Sequence, residues 1–263
     1  MQPNKEIKRD GQSATKIFDD RTVESDYRTL PPLLIKGMRV LDVGCGTGAI
    51  SKGIAGYVGP ERKVTGIDNT ERFIQSGKES YKDIHNLDLL HVDLFEFVPE
   101  EKFDLIVAAR VLQWLSNPKD ALRKMKEMLK PNGRISILDY NHQAIEWTPD
   151  PPSAMQKFYT AFLKWRADAG MNNRIADDLS EYFKEAGLRS IEILNCDEHY
   201  VRGQANFDAK VAIWSKVALS TQMVEEGYIS DADRLKAIEE YNHWITTDAQ
   251  SMTMKLNEVT GQI

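Results

Sequence analysis

Through the first half of the chain, short apolar runs alternate with segments whose apolar positions recur every three or four residues. MRVLDVG (38–44) reads as a buried strand, and AISKGIAGYVG (49–59) as a helix that stops at Gly59-Pro60. KVTGID (63–68) is a second strand, followed by TERFIQSGKES (70–80), a helix that Thr70 is placed to cap. LDLLHVD (87–93) and FDLIVAA (103–109) are the third and fourth strands. NPKDALRKMKEMLK (117–130) is an amphipathic helix with Pro118 in its first turn and Pro131-Asn132-Gly133 as its stop; RISILDY (134–140) is the fifth strand. Strands alternating with helices predict a parallel sheet, covered on both faces and joined by right-handed crossovers.

Beyond residue 140 the rhythm changes. NHQAIEWTPDPP (141–152) reads as a Pro-rich aromatic loop, and AMQKFYTAFLKWRADAG (154–170) and ADDLSEYFKEAGL (176–188) as helices. SIEILNC (190–196) is a sixth strand, 205–247 a long helical insertion, and the alternating SMTMKLNEVTG (251–261) an edge strand. The chain therefore divides into an N-terminal helical lid (1–36), a sheet core (37–140), and a remainder (141–263) that completes the sheet and adds a helical cap from 154–170 and 205–247.

Composition narrows the classes. At 263 residues, 41% hydrophobic and 28% charged, the chain has the makeup of a water-soluble globular enzyme. A net charge of -6 argues against a broad nucleic-acid surface, and RKMKEMLK (123–130) is the solvated face of a helix. No apolar run reaches the ~20 residues of a membrane span, and the start lacks a secretory core. Cys45 and Cys196, the only two cysteines, form neither a metal spacing nor a disulfide framework, so a cytoplasmic protein with reduced thiols and no metal is expected.

The strongest chemical signal is LDVGCGTG (41–48) at the end of the first strand. Glycines allow the sharp strand-to-helix turn and a close ligand approach, at the edge where open α/β sheets bind ligands. The spacing alone does not exclude a dinucleotide, because Ala49 could serve as the third small residue of GxGxxG/A. Asp42 weighs against that reading: a carboxylate before the loop repels a pyrophosphate and favours an ammonium group. Asp68 ends the second strand, where it can accept both hydroxyls of a ribose or cap the helix that follows. Asp93 ends the third strand in the equivalent position; it can accept an adenine amino group, with the Leu94 amide donating to the ring, or serve as a turn aspartate.

VLDVGCGTG, GIDNT, HVDLFEF, FDLIVAARVLQWL and LKPNGRISILDY resemble, in order and spacing, the class I S-adenosylmethionine-dependent methyltransferases over roughly residues 38–140. The resemblance implies an α/β fold with a Rossmann-like seven-stranded sheet of order 3-2-1-4-5-7-6, its last strand antiparallel, with helical cap insertions. It implies S-adenosylmethionine as methyl donor and S-adenosylhomocysteine as product. Gly44, Gly46 and Gly48 would line the methionine and ribose, with Cys45 in the same loop. Asp68 with Asn69 would hold the ribose, and Phe73 would lie against adenine. Asp93 and Leu94 would read adenine. Asp42, the Ala109 carbonyl, Arg110 and Gln113 would stand near the methionine end. SATKIFDDRTVESDYRTL (13–30) resembles the lid that relatives fold over the donor; Tyr27 or Arg28 would touch the donor there, or Phe18, Val23 and Leu30 would only pack the segment on the sheet.

Methyl transfer needs alignment and exclusion of water more than a fixed catalytic residue. Asp139, Tyr140, Asn141 and His142 cluster after the fifth strand. Within that group His142 is the candidate base and Tyr140 a candidate substrate hydrogen-bonder, each with a purely structural role as its competitor. His199 and Tyr200 rank below them. Phe158, Phe162 and Trp165 share a helix face, a core stripe by its spacing. The cap aromatics as a whole suit a cavity for a small apolar acceptor. A monomer or homodimer without membrane or nucleic-acid partners is expected. The competing readings are an RNA or protein methyltransferase, a non-catalytic S-adenosylmethionine-binding protein and an NAD-dependent oxidoreductase.

Overall fold

A computed structural model describes residues 5–7 and 21–263. The elements in chain order are α1 (Val23–Asp26), β1 (Val40–Val43), α2 (Ala49–Val58), β2 (Val64–Asp68), α3 (Glu71–Ser80), β3 (Leu87–His91), β4 (Phe103–Ala109) and α4 (Pro118–Glu127). There follow β5 (Leu129–Thr148), α5 (Ser153–Asp168), α6 (Ile175–Glu185), β6 (Arg189–Asn195), β7 (Glu198–Val201), α7 (Phe207–Val211), α8 (Ile213–Ala218), α9 (Gln222–Glu225), α10 (Asp231–Thr247) and β8 (Ser251–Gln262).

One sheet organises them, in the order β3-β2-β1-β4-β5-β8-β6, with β7 also paired to β8. The expected α/β architecture and strand order hold. β1 to β5 run parallel, with Val40 opposite both Val64 and Leu105. β8 runs antiparallel to β5, with Tyr140 opposite Leu256, and antiparallel to β6 and β7 on its other side. The last strand is thus paired along both of its edges, and β7 is an eighth strand that the sequence reading does not contain.

A second difference lies in β5. The segment 141–152, read as a loop, continues as strand to Thr148: the ladder to β8 breaks between Asn141 and Glu146, then resumes with Glu146 opposite Thr253. Pairing with a distant strand supplies the backbone hydrogen bonds that local sequence does not advertise.

The sheet carries an apolar core on each face. α4 places Ala121, Leu122 and Met125 against Ile106, Ile135 and Phe183 on one side. Ile54 and Val58 of α2 pack with Val23, Leu30, Val64 and Leu105 on the other. The cap holds a third core, in which Met155, Phe158, Tyr159, Phe162 and Trp165 of α5 meet Trp214, Ala237, Tyr241 and Trp244. Full burial of each large apolar side chain contributes about 1.5–3 kcal/mol, so the cap has a stable interior of its own. The stripe on α5 packs in this core, as its spacing implies, while Phe162 also reaches the cavity described below.

Tyr27 departs from expectation. It is buried against the sheet, its hydroxyl 2.6 Å from Ser136 Oγ, and Ser136 in turn donates to the buried Glu258. This chain of polar groups ties α1 to β5 and β8, and Tyr27 does not line the site described below. Of the expected lid, residues 13–20 with Phe18 lie outside the described residues. No helix among the described residues is long and apolar enough to cross a membrane.

Candidate active site

The carboxyl ends of β1, β2, β3 and β4 open into a cavity of about 1960 Å³ that continues under the cap helices. At the sheet end its wall includes Gly44, Gly46, Asp68, Asn69, Asp93, Leu94, Ala109 and Arg110.

The glycine loop is shaped by backbone conformation. Gly44, Gly46 and Gly48 have φ of 67°, 58° and 83°, in the left-handed region where a β-carbon is strained. Four of its amides are spent within the protein. Gly44 and Cys45 donate to the Ile67 carbonyl, at 2.8 and 3.0 Å, Gly46 to Asp68 Oδ2 at 2.9 Å, and Gly48 to the Cys45 carbonyl at 2.9 Å. A loop built for a pyrophosphate turns such amides toward the ligand; this loop turns them inward and leaves a carboxylate at the surface of the cavity. Asp68 Oδ1 accepts the Thr70 amide at 2.8 Å, so Asp68, not the Thr70 side chain, caps the start of α3. Each carboxylate oxygen retains a further acceptor position. Asp93 is similar: Oδ1 accepts the Phe95 amide at 2.8 Å while the residue lines the cavity.

Arg110 joins three parts of the chain. Its backbone is left-handed at φ 62°, unusual for a residue with a side chain. The guanidinium donates to the Tyr140 hydroxyl at 2.8 Å, the Asp26 carbonyl at 3.0 Å and Glu198 Oε1 at 2.6 Å. Tyr140 donates in turn to Glu198 Oε2, and so does Tyr200. Burial opposes ionisation of Glu198, yet Arg110 holds its carboxyl below the usual range. Arg21 also lines the cavity; burial and then Arg110 lower its pKa to about 10.

The far end is walled by rings: Trp114, Tyr140, His142, Phe162, Tyr200 and Trp214. His142 lies within β5, its amide bonded to the Asn173 carbonyl at 2.7 Å and its carbonyl accepting from the Tyr159 hydroxyl. Its Nε2 meets Gln113 Oε1. Gln113 is fixed from three sides, its amide on Asp139 Oδ2, its carbonyl on Arg166 Nη2 and its Nε2 on the Arg110 carbonyl. Burial, and then the Arg166 charge, hold His142 well below its ordinary pKa, so the ring is neutral. Burial pushes Tyr140 above the usual phenol range and Asp139 up to about 7.

Residues 34–187 match the family described as methyltransferase domain, more than half of the chain. The chain belongs to the methyltransferase domain family. A demethylmenaquinone methyltransferase from Listeria welshimeri is 35% identical over 174 residues, covering 61% of this chain and 74% of that protein. Two solved structures share the fold. One is a Haemonchus contortus phosphoethanolamine N-methyltransferase in complex with phosphomonomethylethanolamine and S-adenosylhomocysteine, at TM-score 0.55 and 16% identity. It aligns over 86% of this chain but only 49% of its own, so this chain spans about half the length of that protein. The other is a SAM-dependent methyltransferase from Aquifex aeolicus, at TM-score 0.51 and 24% identity, covering 67% of this chain and 88% of that one.

The chain is thus an S-adenosylmethionine-dependent methyltransferase, and the oxidoreductase reading falls. Of the expected site residues, Gly44, Gly46, Asp68, Asn69, Asp93, Leu94, Ala109, Arg110, Gln113, Tyr140 and His142 line one cavity. Four do not. Asp42 and Cys45 border a void of about 20 Å³ behind the loop, where Ser51 donates to Asp42 at 2.6 Å. A β-carbon on Gly48 would lie 2.8 Å from the Leu89 methyls, so this glycine serves the packing of the loop on β3. Phe73 is wholly buried beneath α3, whose Glu71 and Arg72 face the cavity in its place. Glu198 and Trp114 are site residues that the sequence reading passes over. The alternation of Glu198-His199-Tyr200-Val201 is the signal that could have exposed β7.

Proposed function

We propose that this methyltransferase binds S-adenosylmethionine at the sheet end of the cavity and methylates a small, planar, largely apolar acceptor at the ring-walled end. One observation carries the reading: a single cavity joins the acidic ends of β2 and β3 to the cap aromatics. The donor's chemistry fits what lies there. Asp68 has acceptor positions left for two ribose hydroxyls, Asp93 and the Leu94 amide suit the adenine edge, and inward-turned loop amides leave no phosphate cradle. When bound, the donor supplies a methyl group already attached to a good leaving group.

The protein's own part is then positioning and exclusion of water. Arg110 fixes β4, β7 and α1 around the methionine end and keeps Tyr140 in place. Neutral His142 presents a ring nitrogen lone pair to the acceptor side rather than a strong base, because burial, and then Arg166, disfavour its protonation. The residues around α1, with Arg21 and Asp26 on the cavity wall, act as the lid of the expected N-terminal unit. The helices α7 to α10 fall outside the family match at 34–187, and α8 brings Trp214 to the acceptor end of the cavity. The enclosing cap supports a small-molecule acceptor over RNA or protein, and the net charge of -6 disfavours a nucleic-acid partner. The Listeria relative makes demethylmenaquinone the first acceptor to try.

Calorimetry with S-adenosylhomocysteine tests the donor site. Asp68→Ala should weaken binding by about 1–3 kcal/mol, the cost of unpaired hydroxyls, with Asp68→Asn losing less. Unaltered affinity in both variants would remove Asp68 from the site.

A further inference from the structure

Two polar atoms of the rings that wall the cavity have no hydrogen-bond partner among the described residues, His142 Nδ1 and Trp214 Nε1; Arg166 Nη1, behind the wall against Trp114 and Phe162, is a third but its residue does not line the cavity. The His142 and Trp214 side chains are more than nine-tenths buried, at 6% and 2% exposure, and both line the cavity. They are neighbours, their ring centroids 6.0 Å apart, and Phe162 stands edge-on to both at 5.7 and 5.5 Å. Their hydrogen-bonding roles are complementary. Gln113 presents Oε1 to His142 Nε2 while its own Nε2 donates to the Arg110 carbonyl; this orientation sets the proton on Nε2 and leaves Nδ1 a bare acceptor. The indole N–H of Trp214 is a donor only. Buried polar atoms are seldom left unpaired, and an adjacent unpaired acceptor and donor beside a cavity mark a place for a group that is both.

We propose that His142 Nδ1 and Trp214 Nε1 form the subsite for an aromatic hydroxyl on the acceptor. The hydroxyl donates to His142 Nδ1 and accepts from the Trp214 N–H, while Phe162 and Tyr140 flank the ring that bears it. The arrangement rests on the acceptor lying at this end of the cavity and adds what that acceptor carries. It also gives His142 a defined task, orienting the acceptor as a neutral hydrogen-bond partner. The groups facing its imidazole from the neighbouring elements are Gln113, Tyr140 of β5, Phe162 of α5 and Trp214 of α8, with Arg166 of α5 the charge that bears on it; burial first, and then Arg166, keep the ring neutral.

Calorimetry on enzyme saturated with S-adenosylhomocysteine, using 2-naphthol, 2-methoxynaphthalene and 2-methylnaphthalene as probes, separates the two bonds. Wild type should bind 2-naphthol about tenfold more tightly than 2-methoxynaphthalene, which can accept a hydrogen bond but not donate one. His142→Phe should abolish that preference. Trp214→Phe, which keeps a ring and loses only the N–H donor, should abolish the advantage of 2-methoxynaphthalene over 2-methylnaphthalene. S-adenosylhomocysteine affinity within about twofold of wild type verifies that both variants fold. Equal affinities for the first two probes in wild type, or a preference that survives His142→Phe, overturns the subsite and leaves the donor site standing. A wild-type protein that fails to bind S-adenosylhomocysteine overturns the donor reading and this one with it.

Discussion

The two ends of the cavity are built by different means. The sheet end is a product of backbone: three left-handed glycines, strand ends, and loop amides folded back onto β2. The cap end is a product of side chains, rings packed edge to face on an aromatic core of their own, with a few polar groups fixed between them. A backbone turn cannot be altered one side chain at a time, whereas a wall of rings can be reshaped by exchanging single residues. The comparison teaches that conserving one ligand while varying the other is easiest when backbone holds the first and side chains hold the second.

The largest test asks whether the two ends are energetically separate. Phe158 is wholly buried in the cap core and lines no part of the cavity. Phe158→Ala should cost about 3–5 kcal/mol in denaturant unfolding while S-adenosylhomocysteine affinity stays near wild type. A parallel loss of donor affinity would show that cap and sheet end form one cooperative unit.

Next comes acidity, because each end buries an aspartate whose ionisation burial opposes. Burial raises both Asp42, under the glycine loop, and Asp139, under the acceptor wall, to about 7 from an ordinary 3.8. In the unfolded chain these carboxyls ionise near 3.8, whereas in the folded protein they stay protonated until about 7. Their contribution to stability is therefore complete at low pH and is lost as pH rises through that window, by at most about 1.4 kcal/mol per pH unit for each group. Urea midpoints at pH 5 and pH 7.5 should fall with pH in wild type and fall less in Asp42→Asn and in Asp139→Asn. A variant with the wild-type slope would exempt its aspartate.

The same division explains what could be read in advance. The parallel strands, the glycine loop, Asp68 and Asp93 follow from local pattern, since each turn is made by residues adjacent in the chain. The extension of β5 to Thr148 depends on Ser251, Met252 and Thr253 of β8, about a hundred residues away, and no local periodicity reports it. Glu198 is not legible in the sequence because β7 is four residues long and gains its position from β8 and Arg110. Phe73 and Tyr27 were placed at the donor by the family pattern; here an apolar ring on the inner face of α3 and a phenol that finds Ser136 are more stably kept in the core.

Smaller effects sharpen the comparison further. Gly48→Ala places a β-carbon 2.8 Å from Leu89 in a residue at φ 83°. A loss of about 1–3 kcal/mol in stability is expected from the strain, with S-adenosylhomocysteine affinity, measured by calorimetry, reduced less than in Asp68→Ala. The reverse order would return Gly48 to the ligand surface. The smallest effect concerns the outside of the cap, where Lys157 of α5 meets Asp233 of α10 at 2.8 Å. Their side chains are 62% and 36% exposed, so water screens the pair and its long side chains lose entropy when held. Lys157→Ala should shift unfolding by no more than about 0.5 kcal/mol. A loss above about 1 kcal/mol, beyond the usual range for exposed pairs, would mean that surface charge, and not the ring core around Phe158, keeps α5 and α10 together.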